Sequence, residues 1–343
     1  MTQEIFDYMK ETSKESDEYT LKLLDSLKGT SSYEPTNHLP ILRDKINGDI
    51  AIPKSRNSLG RLIYETFNNG SWKKIIPALS FIELSTIATY VWDDVIDDQP
   101  IRQKDESTWK KFGVNKAICA GGLQCTRSFK ALEDLAVPNK DKVRIFQLGN
   151  KMWDQLWQGE MYNEDMNENT TYEEYINRCY QLCGAMFDSI AQMSAICASA
   201  SEEQIKLASE IGKNYGIGVM IRNDLADVIP ELHKNSVALS KKPYEDVRKG
   251  LYTYPLLYAI QHVSEDGKTM IRNVVGKKEM HAGEHETLQE ILKEAGALNA
   301  TLDLITKYRR KTNQNIRTLP KIKSQKLLFD LTYLLENMRR YVK

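Results

Sequence analysis

The chain has 343 residues, and 47 Lys and Arg balance 47 Asp and Glu, so its formal net charge is zero. Such a length can bury a large core, and 41% hydrophobic with 27% charged residues describes an ordinary globular protein, neither disordered nor fibrous. A zero balance counts against a general nucleic-acid binder, whose grip on phosphates needs a basic surplus.

In chain order, the first residues are dense in Glu, Lys and Asp. They hold short amphipathic helices marked by Ile5, Phe6 and Met9 and by Leu21, Leu24 and Leu27. With no apolar run, this segment reads as neither signal peptide nor membrane anchor. Residues 29–58, with Pro35, Pro40, Gly48 and Pro53, read as turns. Helical spacing resumes at Leu59 and breaks at Asn68-Asn69-Gly70; the next helix covers 72–98 and stops at Pro100. Further helices are expected over 115–135, 141–160, 172–198, 202–229, 253–264, 286–295, 297–315 and 324–341. Strand alternation does not recur, and the 18 Gly and 10 Pro are few for this length. The expectation is an all-α protein: a polar helical extension over 1–55 and one catalytic domain over 56–343. No stretch reaches the roughly 18 uninterrupted apolar residues of a spanning helix. Cys119, Cys125, Cys179, Cys183 and Cys197 form no C-x-x-C pair and read as reduced, buried thiols of a cytoplasmic protein.

The informative feature is Asp93-Asp94-Val95-Ile96-Asp97-Asp98, at the C-terminal end of an apolar helix. Asp93 and Asp97 are one turn apart and share a face. Packed acids repel one another and oppose the helix dipole, and both penalties are relieved by a cation. Asn223-Asp224-Leu225-Ala226-Asp227 repeats the spacing, with Glu231 one turn further on. Asn223, Asp227 and Glu231 then form an i, i+4, i+8 stripe of oxygen ligands on one face. Oxygen-only sets select hard cations such as Mg²⁺, which prefers a few carboxylates completed by substrate phosphate. Two such clusters would hold several Mg²⁺ over a diphosphate and draw it off as a leaving group.

With these motifs the chain resembles the trans-isoprenyl diphosphate synthase (polyprenyl synthetase) family, which shares its fold with class I terpene cyclases. The resemblance starts near Arg56. It includes the run from Phe81-Ile82-Glu83-Leu84 to Asp98, Trp109-Lys110-Lys111-Phe112-Gly113, Ala117-Ile118-Cys119-Ala120-Gly121, and Lys242-Pro243-Tyr244 through Thr253-Tyr254-Pro255. It implies an isoprenoid-synthase helical bundle around a central cavity, a homodimer, and about three Mg²⁺ acting with the substrate diphosphate. It further implies that Asp93, Asp97, Asn223 and Asp227 bind metal, supported by Asp94, Asp98 and Glu231. Arg102 and Lys242 would hold an allylic prenyl diphosphate, and Arg56 falls in the segment that holds isopentenyl diphosphate. That segment lacks the family's glycines, however. Thr86, Gln103, Leu182-Cys183, Met220 and Leu251 replace polar or charged family residues, and Asn223 replaces an aspartate. Each lost charge-assisted bond weakens the second diphosphate's site. Chain elongation and cyclisation are therefore both open, as is a catalytically silent partner subunit.

Upstream of Asp93, Thr89 and Ala88 lie one turn up, Thr86 and Ser85 two, and Ile82 and Phe81 three. An isoprene unit matches one turn of roughly 5.4 Å, so small residues capped by Phe81 suggest a chain of about C15–C20; close packing of a neighbouring helix explains the same small residues. His281-Ala282-Gly283-Glu284-His285 matches an inverted zinc-protease pattern but reads better as a polar loop and helix start. Trp153 and Trp157 read as packing, and Arg339-Arg340 as solvated or reaching a diphosphate.

Overall fold

A computed structural model of the protein describes residues 2–40, 54–102, 105–235, 243–336 and 338–342. These are helical nearly throughout, as expected. The one strand pairing among them is a two-residue ladder, Ile101 against Glu106 and Arg102 against Asp105. The chain divides into two compact units, one of Met1–Lys151, Met186–Gly212 and Ile316–Leu331, the other of Met152–Ala185, Lys213–Asn315 and Thr332–Lys343.

The first unit is built on the Ile76–Ile96 helix. Pro77 occupies its first turn, where no donor is needed, and side chains from Pro77 to Ala88 are buried without a break. A helix apolar all round must be enclosed, and it packs on Val114–Glu133, on Gln3–Asp25 and on Ser55–Phe67. With the short turn Trp72–Ile75 it is long and apolar enough by average hydropathy to cross a membrane, but its apolar run is interrupted at Ser80 and Glu83, and 78% of its apolar window is buried inside the fold. It is a core helix.

The N-terminal helix Gln3–Asp25 is fastened to this unit by buried charge. The Lys54 ammonium pairs with Asp17 and lies 2.9 Å from Glu83, all three nearly inaccessible. Arg61 donates to Glu11 at 2.8 Å and lies 4.0 Å and 4.1 Å from the ring centroids of Tyr8 and Trp72.

The second unit contains Tyr172–Cys179, opened by a Thr171–Glu174 capping box. The single helix expected over 172–198 is interrupted by a π-helical turn, Tyr180–Gly184, before Ala185–Cys197 resumes it. Two further expectations are corrected. Residues 33–40 are helical, with Pro35 in the first turn, where the ring is tolerated. A helix at Glu265–Val274 was missed because Gly267 weakens the pattern; Ser264 caps it by accepting from Gly267 N–H. Nor are all the thiols buried: Cys179 and Cys183 are, Cys125 and Cys197 are half-buried, and Cys119 is exposed, all of them free. Burial pushes the Cys125 and Cys197 thiols up, to about 11 and about 12. They are packing groups, not thiolates.

Candidate diphosphate and metal site

In the first unit the acidic run divides by environment. The Ile76–Ile96 helix ends as Asp97 N–H donates to Asp93 C=O at 2.8 Å, and Asp98 turns left-handed at φ +50°. Asp94 is 1% exposed, Asp93 and Asp97 are half-buried, and Asp98 is exposed. Asp94 turns inward onto Arg102, whose Nε donates to both carboxylate oxygens at 2.8 and 3.0 Å and whose Nη2 donates at 2.5 Å. Arg102 also lies 4.8 Å over the Tyr90 ring. Burial alone would lower the Arg102 pKa; Asp94, aided by Asp93, overrides it, and the guanidinium is held well above its ordinary value. Asp94 is thus a partner of Arg102, and the half-buried Asp93 and Asp97 share the remaining face.

Along the same helix, Phe81, Ser85 and Ala88 are fully buried and Thr89 half-buried. Phe81 meets Phe129 edge-on at 5.3 Å. A Cβ at Gly149 would stand 2.9 Å from the Phe81 ring, so the close packing of a neighbouring helix is real at this level. Thr89 donates to Thr86 C=O at 2.9 Å, while the buried Ser85 hydroxyl has no hydrogen-bond partner. Arg56 lies 5.3 Å over the Phe187 ring.

In the second unit the expected ligand stripe is broken. The Glu202–Asp227 helix stops at Asp227, and Glu231 lies in the first turn of a new helix, Pro230–Asn235. Pro230 offers no donor and pushes Ile229 out of helical geometry, so Glu231 does not continue the face of Asn223 and Asp227. Asn223 and Glu231 are exposed. Asp227 is 6% exposed, and its carboxylate caps the short helix Glu245–Arg248: Glu245 N–H donates to Oδ1 at 2.8 Å and Asp246 N–H to Oδ2 at 3.2 Å. Tyr244, left-handed at φ +60°, aims these amides, and its own N–H donates to Asp227 C=O at 2.8 Å.

Sequence reasoning missed what lies beneath this cluster. Asp224, 1% exposed, accepts at Oδ2 from Tyr175 Oη at 2.8 Å and from Arg178 Nη1 at 2.9 Å. Arg178, 2% exposed, donates through Nε to Asn163 Oδ1 at 2.8 Å. Burial pushes the Asp224 carboxyl up, and the Arg178 guanidinium beside it pulls the other way. Burial would lower the Arg178 guanidinium, and Asp224 more than offsets it. The available signal was an arginine between Tyr175 and Leu182 on a helix whose other inward positions are apolar.

Lys242 and Gln103 lie outside the described residues, as does the Arg340 side chain. Arg339 donates to Thr306 at 2.8 Å. His281 is the N-cap of Ala282–Glu294, joined to Glu284 in a capping box, while the His285 ring packs on Tyr244 with centroids 4.8 Å apart. Trp153 and Trp157 stack on each other at 6.3 Å.

Among the described residues no three acidic, His or Cys side chains converge to hold a cation unaided. Mg²⁺ does not require that, because one or two carboxylates plus phosphate suffice. Asp93 and Asp97 fit such a role as a half-buried pair at the negative end of a helix. Asp227 fits in part: each oxygen already accepts an amide but retains a lone pair.

The sequence matches the polyprenyl synthetase family profile over residues 54–293, and the chain belongs to that family. It is 27% identical over 222 residues to a short chain isoprenyl diphosphate synthase of Methanocaldococcus jannaschii, covering 64% of this chain and 66% of that protein. It is 25% identical over 276 residues to a geranylfarnesyl diphosphate synthase of Aeropyrum pernix, covering 78% and 84%. Among solved structures, the geranylgeranyl pyrophosphate synthetase of Pyrococcus horikoshii superposes with a TM-score of 0.85 at 26% identity, covering 98% of both chains.

Proposed function

We propose that this protein is a Mg²⁺-dependent prenyltransferase that ionises an allylic diphosphate and condenses it with isopentenyl diphosphate, giving products near C15–C20. The half-buried Asp93–Asp97 pair, closing a helix buried without a break from Pro77 to Ala88, carries the reading. Asp93 and Asp97 hold Mg²⁺ in one cluster, and Asn223, Asp227 and Glu231 supply oxygens in the other. Bound Mg²⁺ would neutralise charge on the departing diphosphate. Arg102, fixed by Asp94, presents a permanent cation to the allylic diphosphate, with Lys242 beside it in role, and Arg56 serves the second diphosphate. Ser85, Ala88 and Thr89 border the prenyl tail and Phe81 ends its run. The relatives' names support the class but span a range of chain lengths, from geranylgeranyl to decaprenyl. On the same reading the protein is a cytoplasmic homodimer, with residues 1–55 an extension of a catalytic domain over 56–343.

A second reading is a class I terpene cyclase, favoured by the neutral Asn223 and by Leu182 and Leu251 where the family carries lysines. One experiment separates these from a silent subunit: the purified protein with Mg²⁺ and C10, C15 or C20 allylic diphosphates, with and without isopentenyl diphosphate. Longer diphosphates formed only with isopentenyl diphosphate support elongation; hydrocarbons formed without it support cyclisation. No turnover in either arm defeats both enzyme readings. Thr89→Phe should shorten the product, and an unchanged product length would remove Thr89 from the tail's path.

A further inference from the structure

In both acidic clusters the second residue is an aspartate withdrawn from the surface. Asp94 and Asp224 are each 1% exposed, and each is bound by a buried arginine, Arg102 in one unit and Arg178 in the other. Arg178 is the less accessible, and its fork is used twice: Nη1 on Asp224 and Nε on Asn163 of the Asn139–Asp165 helix. Tyr175 adds a second donor to the same carboxylate oxygen. Asp224 lies three residues before Asp227, at the C-terminal end of a 26-residue helix. Clamping it therefore sets the rotation of the last turn, and with it the directions of Asn223 and Asp227.

We propose that Arg178 is a positioning residue for the second acidic cluster, with Asp224 as its internal counter-ion and not a cation ligand. Arg178 holds the helix end so that Asn223 and Asp227 keep the orientation in which they meet a cation. The neutralised Asp224 leaves that cluster with Asp227 and Glu231 as its negative charges beside the neutral Asn223. The inference rests on the reading that this chain binds Mg²⁺ together with a diphosphate.

The test reads Mg²⁺ binding without turnover, as the thermal stabilisation of the full chain by Mg²⁺ in the presence of inorganic pyrophosphate. Groups that orient metal ligands typically affect metal affinity by about 10–100-fold. Arg178→Lys, which keeps the charge but not the fork, should raise the half-saturating Mg²⁺ concentration about tenfold while the protein stays folded. Tyr175→Phe, a milder change at the same oxygen, should shift it in the same direction. The paired amides of Arg178→Gln with Asp224→Asn, which keep a hydrogen bond without charge, should return it most of the way. If Arg178→Lys and Tyr175→Phe lower the melting temperature but leave half-saturation unmoved, the role is structural only and the proposal falls. If Asp224→Asn abolishes the Mg²⁺ response and the double variant does not restore it, Asp224 is itself a ligand and the proposal again falls. A wild-type chain with no response would overturn the metal reading and the inference together, an outcome distinct from the other two.

Discussion

Asp94 and Asp98 differ by one helical turn in position and entirely in surroundings. Asp94 faces Arg102 in the interior, whereas Asp98 lies in solvent. Removing one member of a buried pair strands the other charge, so Asp94→Ala should lower stability by about 3–5 kcal/mol in urea unfolding. Asp98→Ala should stay within about 0.5 kcal/mol, as surface substitutions do. The acidic runs were legible in the sequence because such clusters oppose the helix dipole. By sequence Asp94 stands beside the cation ligands, whereas it turns inward, on the face of the buried Ile87 seven residues earlier. Nor was the partner readable, since Arg178 and Asp224 are far apart in sequence and meet only through packing. His285 gives a residue-scale test of pH dependence. Burial first, then Arg248, hold its imidazole below the ordinary value. Between that lowered value and about 6.5 the unfolded chain binds a proton that the folded chain refuses. Stability should therefore fall as pH drops below about 6.5, and His285→Gln should flatten that part of a melting-temperature profile.

At the scale of elements, close approach decides which helical positions tolerate a side chain. A Cβ at Gly212 would stand 2.3 Å from the Phe187 carbonyl oxygen, and backbone cannot swing aside. Gly212→Ala should cost about 1–3 kcal/mol by overpacking. At Gly122, mid-helix, nothing lies within 4 Å, so Gly122→Ala should add about 0.5–1 kcal/mol. Chemical denaturation of both variants checks the contrast. Most helices were legible from apolar spacing, but their interruptions were less so. The π turn at Tyr180–Gly184 has no Pro to announce it. The break after Asp227 was announced by Pro230, yet the regular spacing of Asn223, Asp227 and Glu231 suggested continuity. Periodicity reports a face only while the helix lasts.

For the whole molecule, zero net charge is an average over buried and exposed ions. Asp17, Lys54 and Glu83, like Asp94 with Arg102 and Asp224 with Arg178, lie where salt does not reach. The exposed pairs, such as Lys28–Asp25, are individually worth about 0–1 kcal/mol. Raising NaCl from low to high concentration should accordingly move the melting temperature by less than about 3 °C. A larger loss would mean that surface ions carry the fold. Composition and spacing made the all-α class and the acidic clusters readable. The buried triad that fastens the N-terminal helix was hidden because Lys54, in a segment that looked like turns, gave no sign of lying inside.

Asp227 is gripped by main-chain amides of Tyr244, Glu245 and Asp246. A hold of that kind is silent to alanine scanning, because every residue but proline supplies the same N–H. Alanine at 245 or 246 leaves that donor in place, so whatever such a variant loses does not report this contact. Proline at 245 or 246, or an ester in place of the amide, would expose it. The protein has thus placed one of its acidic side chains under the control of chain geometry, where drift in side-chain identity cannot easily undo it.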